Sequence, residues 1–138
     1  MVIASTGQDP VWMNPAGLTR ELGFELTDVT PDRVVVTVEV TSKLLQPYGI
    51  VHGGVYCALV ETAASLGAAA WLGPDRQVVG VANTTHMLRA VRDGRLTATA
   101  TPVHRGRSQQ LWLVEIAEDS GRVVARGDLR LQNLDPAT

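Results

Sequence analysis

Apolar and polar residues alternate with a period of two along most of the chain, and the alternation fails in one long stretch between Gln46 and Gly73. From Arg33 to Thr41, Val34, Val36, Val38 and Val40 fall on one face and Val35, Thr37, Glu39 and Thr41 on the other, the pattern of a half-buried strand. Leu22 to Val29 predicts a strand before it, with Thr30, Pro31 and Asp32 as the turn of a first hairpin. Upstream, Asn14 as a cap and Pro15 at a first helical position predict a short helical turn over Pro15 to Glu21. After residue 73, Gln77 to Leu88 predicts another strand, and Asp93-Gly94 is a hairpin-turn signal. Leu96, Ala98 and Ala100 then alternate with Thr97, Thr99 and Thr101, and Trp112, Val114 and Ile116 mark the next strand. Beyond a turn at Ser120-Gly121, Val123, Ala125, Gly127, Leu129 and Leu131 alternate with Val124, Arg126, Asp128, Arg130 and Gln132.

The exceptional stretch, QPYGIVHGGVYCALVETAASLGAAAWLG, combines a loop, a glycine pair and a long helix that is apolar on nearly every face. Two strands, one buried helix and about four more strands joined by hairpin turns predict an α+β fold, an antiparallel sheet wrapped on a single helix. Such a helix carries more apolar surface than one sheet face covers, which predicts self-association.

Composition narrows the class. The 138 residues suit one domain spanning 1–138, with residues 1–16 as a loosely ordered N-terminal segment that docks near Trp12. Aromatic residues make up 4% of the chain, so aliphatic packing dominates the expected core. A formal charge of −2 gives no global reason to expect nucleic acid or an anionic membrane as a partner. Cys57 is the only cysteine, which rules out an intramolecular disulfide, and no basic-then-apolar leader pattern opens the chain. A soluble, cytoplasmic protein is the expectation. The longest apolar run, within 63–72, is shorter than the ~20 residues a membrane span requires.

Candidate chemistry concentrates in the central stretch. Gly53 and Gly54 stand where loop becomes helix, so their amides belong to the group that lacks intrahelical partners at the positive end of the helix dipole. Such donors suit a carbonyl oxygen that gains negative charge during acyl transfer; the alternative is a tight turn ahead of a packed helix. Glu61 places a carboxylate among small residues, with Cys57, Ala58, Ser65 and Ala68 on its helical face. It serves either as a reactive group facing a groove or as a structural carboxylate with a backbone or Arg partner. Eight residues of helix separate Gly53 from Glu61, a rise of about 12 Å. One small carbonyl does not reach both, so either one group is not catalytic or two subunits share the site. Other chemistries lack their patterns. His52, His86 and His104 have no metal-ligand spacing, so no metal is expected. A lone Cys57 in an apolar helix fits packing better than a thiol nucleophile. Gly106 and Ser108 do not form GxSxG, and neither GxGxxG nor a Walker motif is present.

The stretch QPYGIVHGGVYCALVETAASLGAAA resembles the signature of hotdog-fold acyl-CoA thioesterases, the branch with the hydroxybenzoyl-CoA, dihydroxynaphthoyl-CoA and phenylacetate-pathway enzymes. The likeness runs from about Leu22 to Leu134, through ELGFELTDV, VVGVANTTH and PVHRGRSQQLWLVEI. It implies a hotdog fold, a curved sheet of about six strands around one helix, assembled as dimers with two shared sites and commonly as tetramers. By this resemblance the Gly53 amide donates to the thioester oxygen and Glu61 arrives from the neighbouring subunit as nucleophile or general base. Gln46 and His52 hydrogen-bond near the thioester, and Ser65 orients the carboxylate or water. His104, Arg105, Gly106, Arg107 and Ser108 match the family's nucleotide-binding loop, while Gly80, Asn83, His86 and Arg89 match positions near the acyl or pantetheine channel. The His86–Arg89 spacing is one residue longer than the common His-x-Arg form. The implied activity is hydrolysis of an aryl- or short/medium-chain acyl-CoA, with coenzyme A as part of the substrate and no cofactor. A non-catalytic acyl-CoA-binding protein and an enoyl-CoA hydratase are the alternatives on this fold. The first is weakened by the lack of a DNA-binding helix pair before Leu22, the second by a loop that offers Gln46 and His52 where an Asp and His pair would be expected.

Overall fold

The computed structural model describes residues 13–136. A short helix α1 (Leu18–Glu21) leads into strands β1 (Glu25–Val29) and β2 (Val34–Glu39); the long helix α2 (Gly53–Leu72) follows, then β3 (Gln77–Met87), β4 (Arg95–Arg105), β5 (Gln109–Ala117) and β6 (Val123–Leu134). The six strands form one antiparallel sheet in the order β1-β2-β4-β5-β6-β3. It curls around α2, which touches every strand.

Period-two patterning accounts for the core. Val34, Val36 and Val38 of β2, Leu96, Ala98 and Ala100 of β4, Trp112, Val114 and Ile116 of β5, and Ala125, Leu129 and Leu131 of β6 all turn inward and are buried. Leu59, Val60, Ala63 and Ala64 of α2 fill the concave face. Among the described residues, α2 alone is long and apolar enough to cross a membrane. Ten of its residues are buried inside this fold, however, so it is a core helix.

Small residues let sheet and helix approach closely. A methyl group at Gly67 would lie 2.6 Å from Cη2 of Trp112, so the indole occupies the space a larger side chain would need. Trp112 Nε1 donates to Gln110 Oε1 at 2.9 Å, and Gln110 Nε2 donates to Asn133 Oδ1 at 2.9 Å and to the Ala68 carbonyl at 3.3 Å. Asn133 Nδ2 in turn donates to the carbonyls of Gly106 and Arg107. This buried chain satisfies its polar groups and ties the end of α2 to β5, β6 and the β4–β5 loop.

Three expectations need correction. Helix α1 begins at Leu18 rather than Pro15, and its N-cap is Gly17, with no side-chain capping bond from Asn14. The predicted docking of Trp12 lies outside the described residues. Asp93-Gly94 is a turn, with Gly94 at φ 87°, but it does not close a hairpin. β3 pairs with β6 and β4 with β2 and β5, so this connection crosses from one edge of the sheet towards the other side. It docks where Val40 N donates to the Gly94 carbonyl and Asp119 accepts from the Arg95 amide. By contrast, the hairpins at Thr30–Asp32 and Ser120–Gly121 form as expected. The third correction concerns exposed apolar surface. It lies less on α2 than on the edge strand β3 and its continuation, where Val79, Val81, Met87 and Leu88 are 44–58% exposed.

Candidate active site

The loop before α2 and the first helical turn form one half of the site. His52 is the N-cap, and its Nδ1 accepts from the Gly54 amide at 2.8 Å. The His52 carbonyl takes the Val55 amide at 2.9 Å. Gly53, the first helical residue, is left with an N–H that has no acceptor among the described residues, as helix geometry dictates. Gln46 is held by the same loop: its side-chain Oε1 accepts from Tyr48 N, and its backbone pairs with Ile50 and Gly49. Its Nε2 has no acceptor among the described residues. Gln46 and Gly53 line a cavity of about 310 Å³ together with Tyr56, Met87, Leu88 and Arg89. Sequence reasoning missed Tyr56. Its hydroxyl is buried with no partner among the described residues, and burial pushes its pKa up, which keeps it protonated. The His52 ring lines a separate cavity of about 270 Å³ with Lys43, Leu44 and Ala58, on another side of the helix start from Gln46.

Two turns along α2, Glu61 and Ser65 line a different cavity of about 400 Å³ with Thr62, Leu66, Ala69, Arg76 and Val79. Glu61 is half-buried against β3. Gly80 lies directly beneath the carboxylate, and any side chain there would collide with Glu61 Oε1. Asn83 Nδ2 donates to Glu61 Oε2 at 3.3 Å and to the Cys57 carbonyl at 3.0 Å. Gly80 and Asn83 are thus neighbours of Glu61 within one chain.

The remaining predicted residues are spread along the β3 end and the β4–β5 loop. His86 is exposed on β3, opposite Arg126. Arg89 borders both the Gln46–Gly53 cavity and another of about 620 Å³, whose wall carries Arg92, Arg122, Asp93, Glu118 and Asp119. At the end of β4, Arg105 Nη1 is committed to Asp32 Oδ1 and the Pro31 carbonyl, both at 2.8 Å, and its guanidinium lies over the Trp71 ring. His104, Arg107 and Ser108 are exposed, and the Gly106 amide closes the loop on the Gln109 carbonyl. Among the described residues no group of three or more His, Cys, Asp or Glu side chains could hold a metal ion.

One chain therefore carries an unpaired helix-start amide and a carboxylate in separate cavities, on a sheet that wraps one helix. A six-stranded antiparallel sheet curled around one long helix is the hotdog architecture. Residues 48–125 match the family model described as the thioesterase superfamily. The chain is 52% identical over 118 residues to the Mycobacterium tuberculosis protein Rv1847, covering 83% of this chain and 84% of that one. The solved structure of Rv1847 superposes with a TM-score of 0.84 over 86% of this chain and 97% of the other. A 1,4-dihydroxy-2-naphthoyl-CoA hydrolase of Listeria monocytogenes is 39% identical over 78% of this chain and 88% of its own. A Streptococcus pneumoniae thioesterase protein solved with coenzyme A is 25% identical, with a TM-score of 0.76 over 84% of this chain and 89% of that one. The chain belongs to the thioesterase superfamily and is a thioester hydrolase of the hotdog fold.

Proposed function

We propose that the protein hydrolyses an aryl- or short/medium-chain acyl-CoA to the free acid and CoA, in the cytoplasm, as a dimer whose subunits share two sites and which pairs into a tetramer. The Gly53 amide receives the thioester oxygen, and Glu61 of the neighbouring subunit acts as nucleophile or general base. In the general-base route Glu61 takes a proton from water as the water oxygen bonds to the carbonyl carbon. In the nucleophilic route the carboxylate bonds to that carbon and water later cleaves the anhydride. Either way the C–S bond breaks and CoA leaves as the thiolate, which then gains a proton.

The observation that carries this reading is the separation of the two groups: Gly53 and Glu61 line different cavities of one chain. Eight helical residues keep them about 12 Å apart. A second copy supplies the missing half if the edge strand β3, with its exposed Val79, Val81 and Met87, faces its counterpart. Coenzyme A as the carrier is supported by Arg89 at the junction of the Gln46–Gly53 cavity with the polar one, where a guanidinium suits phosphate oxygens. The exposed Arg107 and Ser108 supply further donors at the β4–β5 loop. A Listeria monocytogenes relative named for an aromatic acyl-CoA favours the aryl end of the substrate range.

Thiol release from a panel of aryl, short-chain and medium-chain acyl-CoAs tests the reading. Wild type is expected to turn over at least one of them, and Glu61→Gln to lose about 100-fold or more in kcat. No release across the panel, or a Glu61→Gln variant as fast as wild type, would overturn it.

A further inference from the structure

We propose that Asn83 and Thr85 form a two-residue positioning relay that orients the Glu61 carboxylate and selects Oε1 as its working oxygen. This rests on Glu61 being the catalytic carboxylate. Asn83 and Thr85 are two residues apart on β3 and so share a face. Thr85 Oγ1 donates to Asn83 Oδ1 at 2.7 Å. That bond holds the far end of the Asn83 amide while Nδ2 faces the helix, where it donates to the Cys57 carbonyl and Glu61 Oε2. The flipped amide would set Oδ1 against a carbonyl and a carboxylate oxygen and lose both of those bonds, so the two helix acceptors fix which end of Asn83 meets Glu61, and the Thr85 hydroxyl anchors the other end.

Two glycines make room for the relay. At Gly127, a methyl group would meet Val60 Cγ2 at 2.7 Å and Thr85 Oγ1 at 2.8 Å, so the bare backbone of β6 lets Thr85 lie against the sheet. At Gly80, the missing side chain leaves space for Glu61 Oε1. The two carboxylate oxygens are therefore not equivalent. Oε2 is held by Asn83, whereas Oε1 accepts no hydrogen bond from the described residues. A carboxylate held by one oxygen keeps the other at a set height over the reacting carbon, and small losses of such alignment are costly in rate.

Kinetics and carboxyl carbon-13 NMR of glutamate-labelled protein, with the Glu61 signal assigned through Glu61→Gln, test the relay. Asn83→Ala should lower kcat by roughly ten- to a hundredfold with KM little changed. Thr85→Val should lower kcat less, add nothing in the Asn83→Ala background, and be rescued by Thr85→Ser. The Glu61 carboxyl signal should move in Thr85→Val, although Thr85 does not touch Glu61. Independent, additive effects of the two substitutions, or a Glu61 signal unmoved by Thr85→Val, would overturn the relay. Glu61-dependent turnover with an unchanged kcat in Asn83→Ala would overturn the positioning role while leaving the thioesterase reading intact. If no thioester is hydrolysed yet the Glu61 signal moves in both variants, the relay stands as a positioning device and the catalytic reading falls.

Discussion

The two ends of α2 are built on opposite plans. At its start, His52 caps the Gly54 amide and leaves the preceding one, Gly53, without an acceptor beside an open cavity. Near its other end, Gly67 lets Trp112 press onto the helix, and the Ala68 carbonyl joins a closed chain through Gln110 and Asn133. One end leaves a donor unpaired, and the other satisfies every member of its buried network. The contrast shows how one helix serves both purposes: tight packing at the far end anchors the element whose near end carries unspent hydrogen-bonding capacity. Glu61 stands between the two, on the flank that meets β3.

If the open end is functional, Gly53→Pro should give the largest effect. Proline removes the N–H at the one helical position that tolerates it, and His52, at ψ 133°, already has the extended backbone required before proline. Loss of an oxyanion donor is expected to lower kcat by about 100- to 1000-fold with helix content in circular dichroism retained. Co-expression of Gly53→Pro with Glu61→Gln then sharpens the point. In a mixed dimer with shared sites, one site carries both lesions and the other neither, so random pairing restores about a quarter of wild-type activity. Recovery no greater than the sum of the two parents would place both groups of each site in one subunit.

The closed end predicts the reverse signature. Gly67→Ala should destabilise by about 1–3 kcal/mol through overpacking against Trp112, partly offset by alanine's helix propensity of about 1 kcal/mol. Chemical denaturation measures the loss, and the folded fraction should keep its kcat. Trp112→Phe, which leaves Gln110 Oε1 buried without its donor, should cost about 1–3 kcal/mol beyond the change in packing. A collapse of kcat in either variant at full folding would break the division of labour between the two ends.

The smallest expected effect lies away from the helix. In the β5–β6 turn, Ser120 and the Arg122 amide donate to the Glu118 carboxylate, and the Ser120 bonds hold its pKa below the ordinary glutamate value. A depressed folded-state pKa gives stability that is present above the unfolded value and is lost as pH falls through the folded one. Glu118→Gln should therefore lower stability slightly at neutral pH and flatten its decline on acidification. Thermal melts between neutral and acid pH check the sign; a steeper acid loss in the variant would contradict it.

Much of the fold was legible in the chain because burial leaves a local imprint. Val34, Val36 and Val38 announce a strand with one wet face, and the same periodicity locates β4, β5 and β6. A single stretch without that period, opened by two glycines and interrupted by one carboxylate, marks α2 and its candidate chemistry. Tertiary structure decided what has no local period. Asp93-Gly94 looks like a hairpin turn, yet β4 takes its place beside β2, and β3 goes to the edge next to β6. Strand order depends on which faces cover α2, and a turn motif records only that the chain reverses. Gln110 is polar in a strand otherwise built for the core, and only its contacts with Ala68, Trp112 and Asn133 explain its burial. Glu61 was conspicuous as a charge on an apolar helix, but Asn83 stands 22 residues from it along the chain. The hydrogen bond between them exists only because the sheet brings β3 back across the helix, a pairing set by packing over long distances that neighbouring residues do not encode.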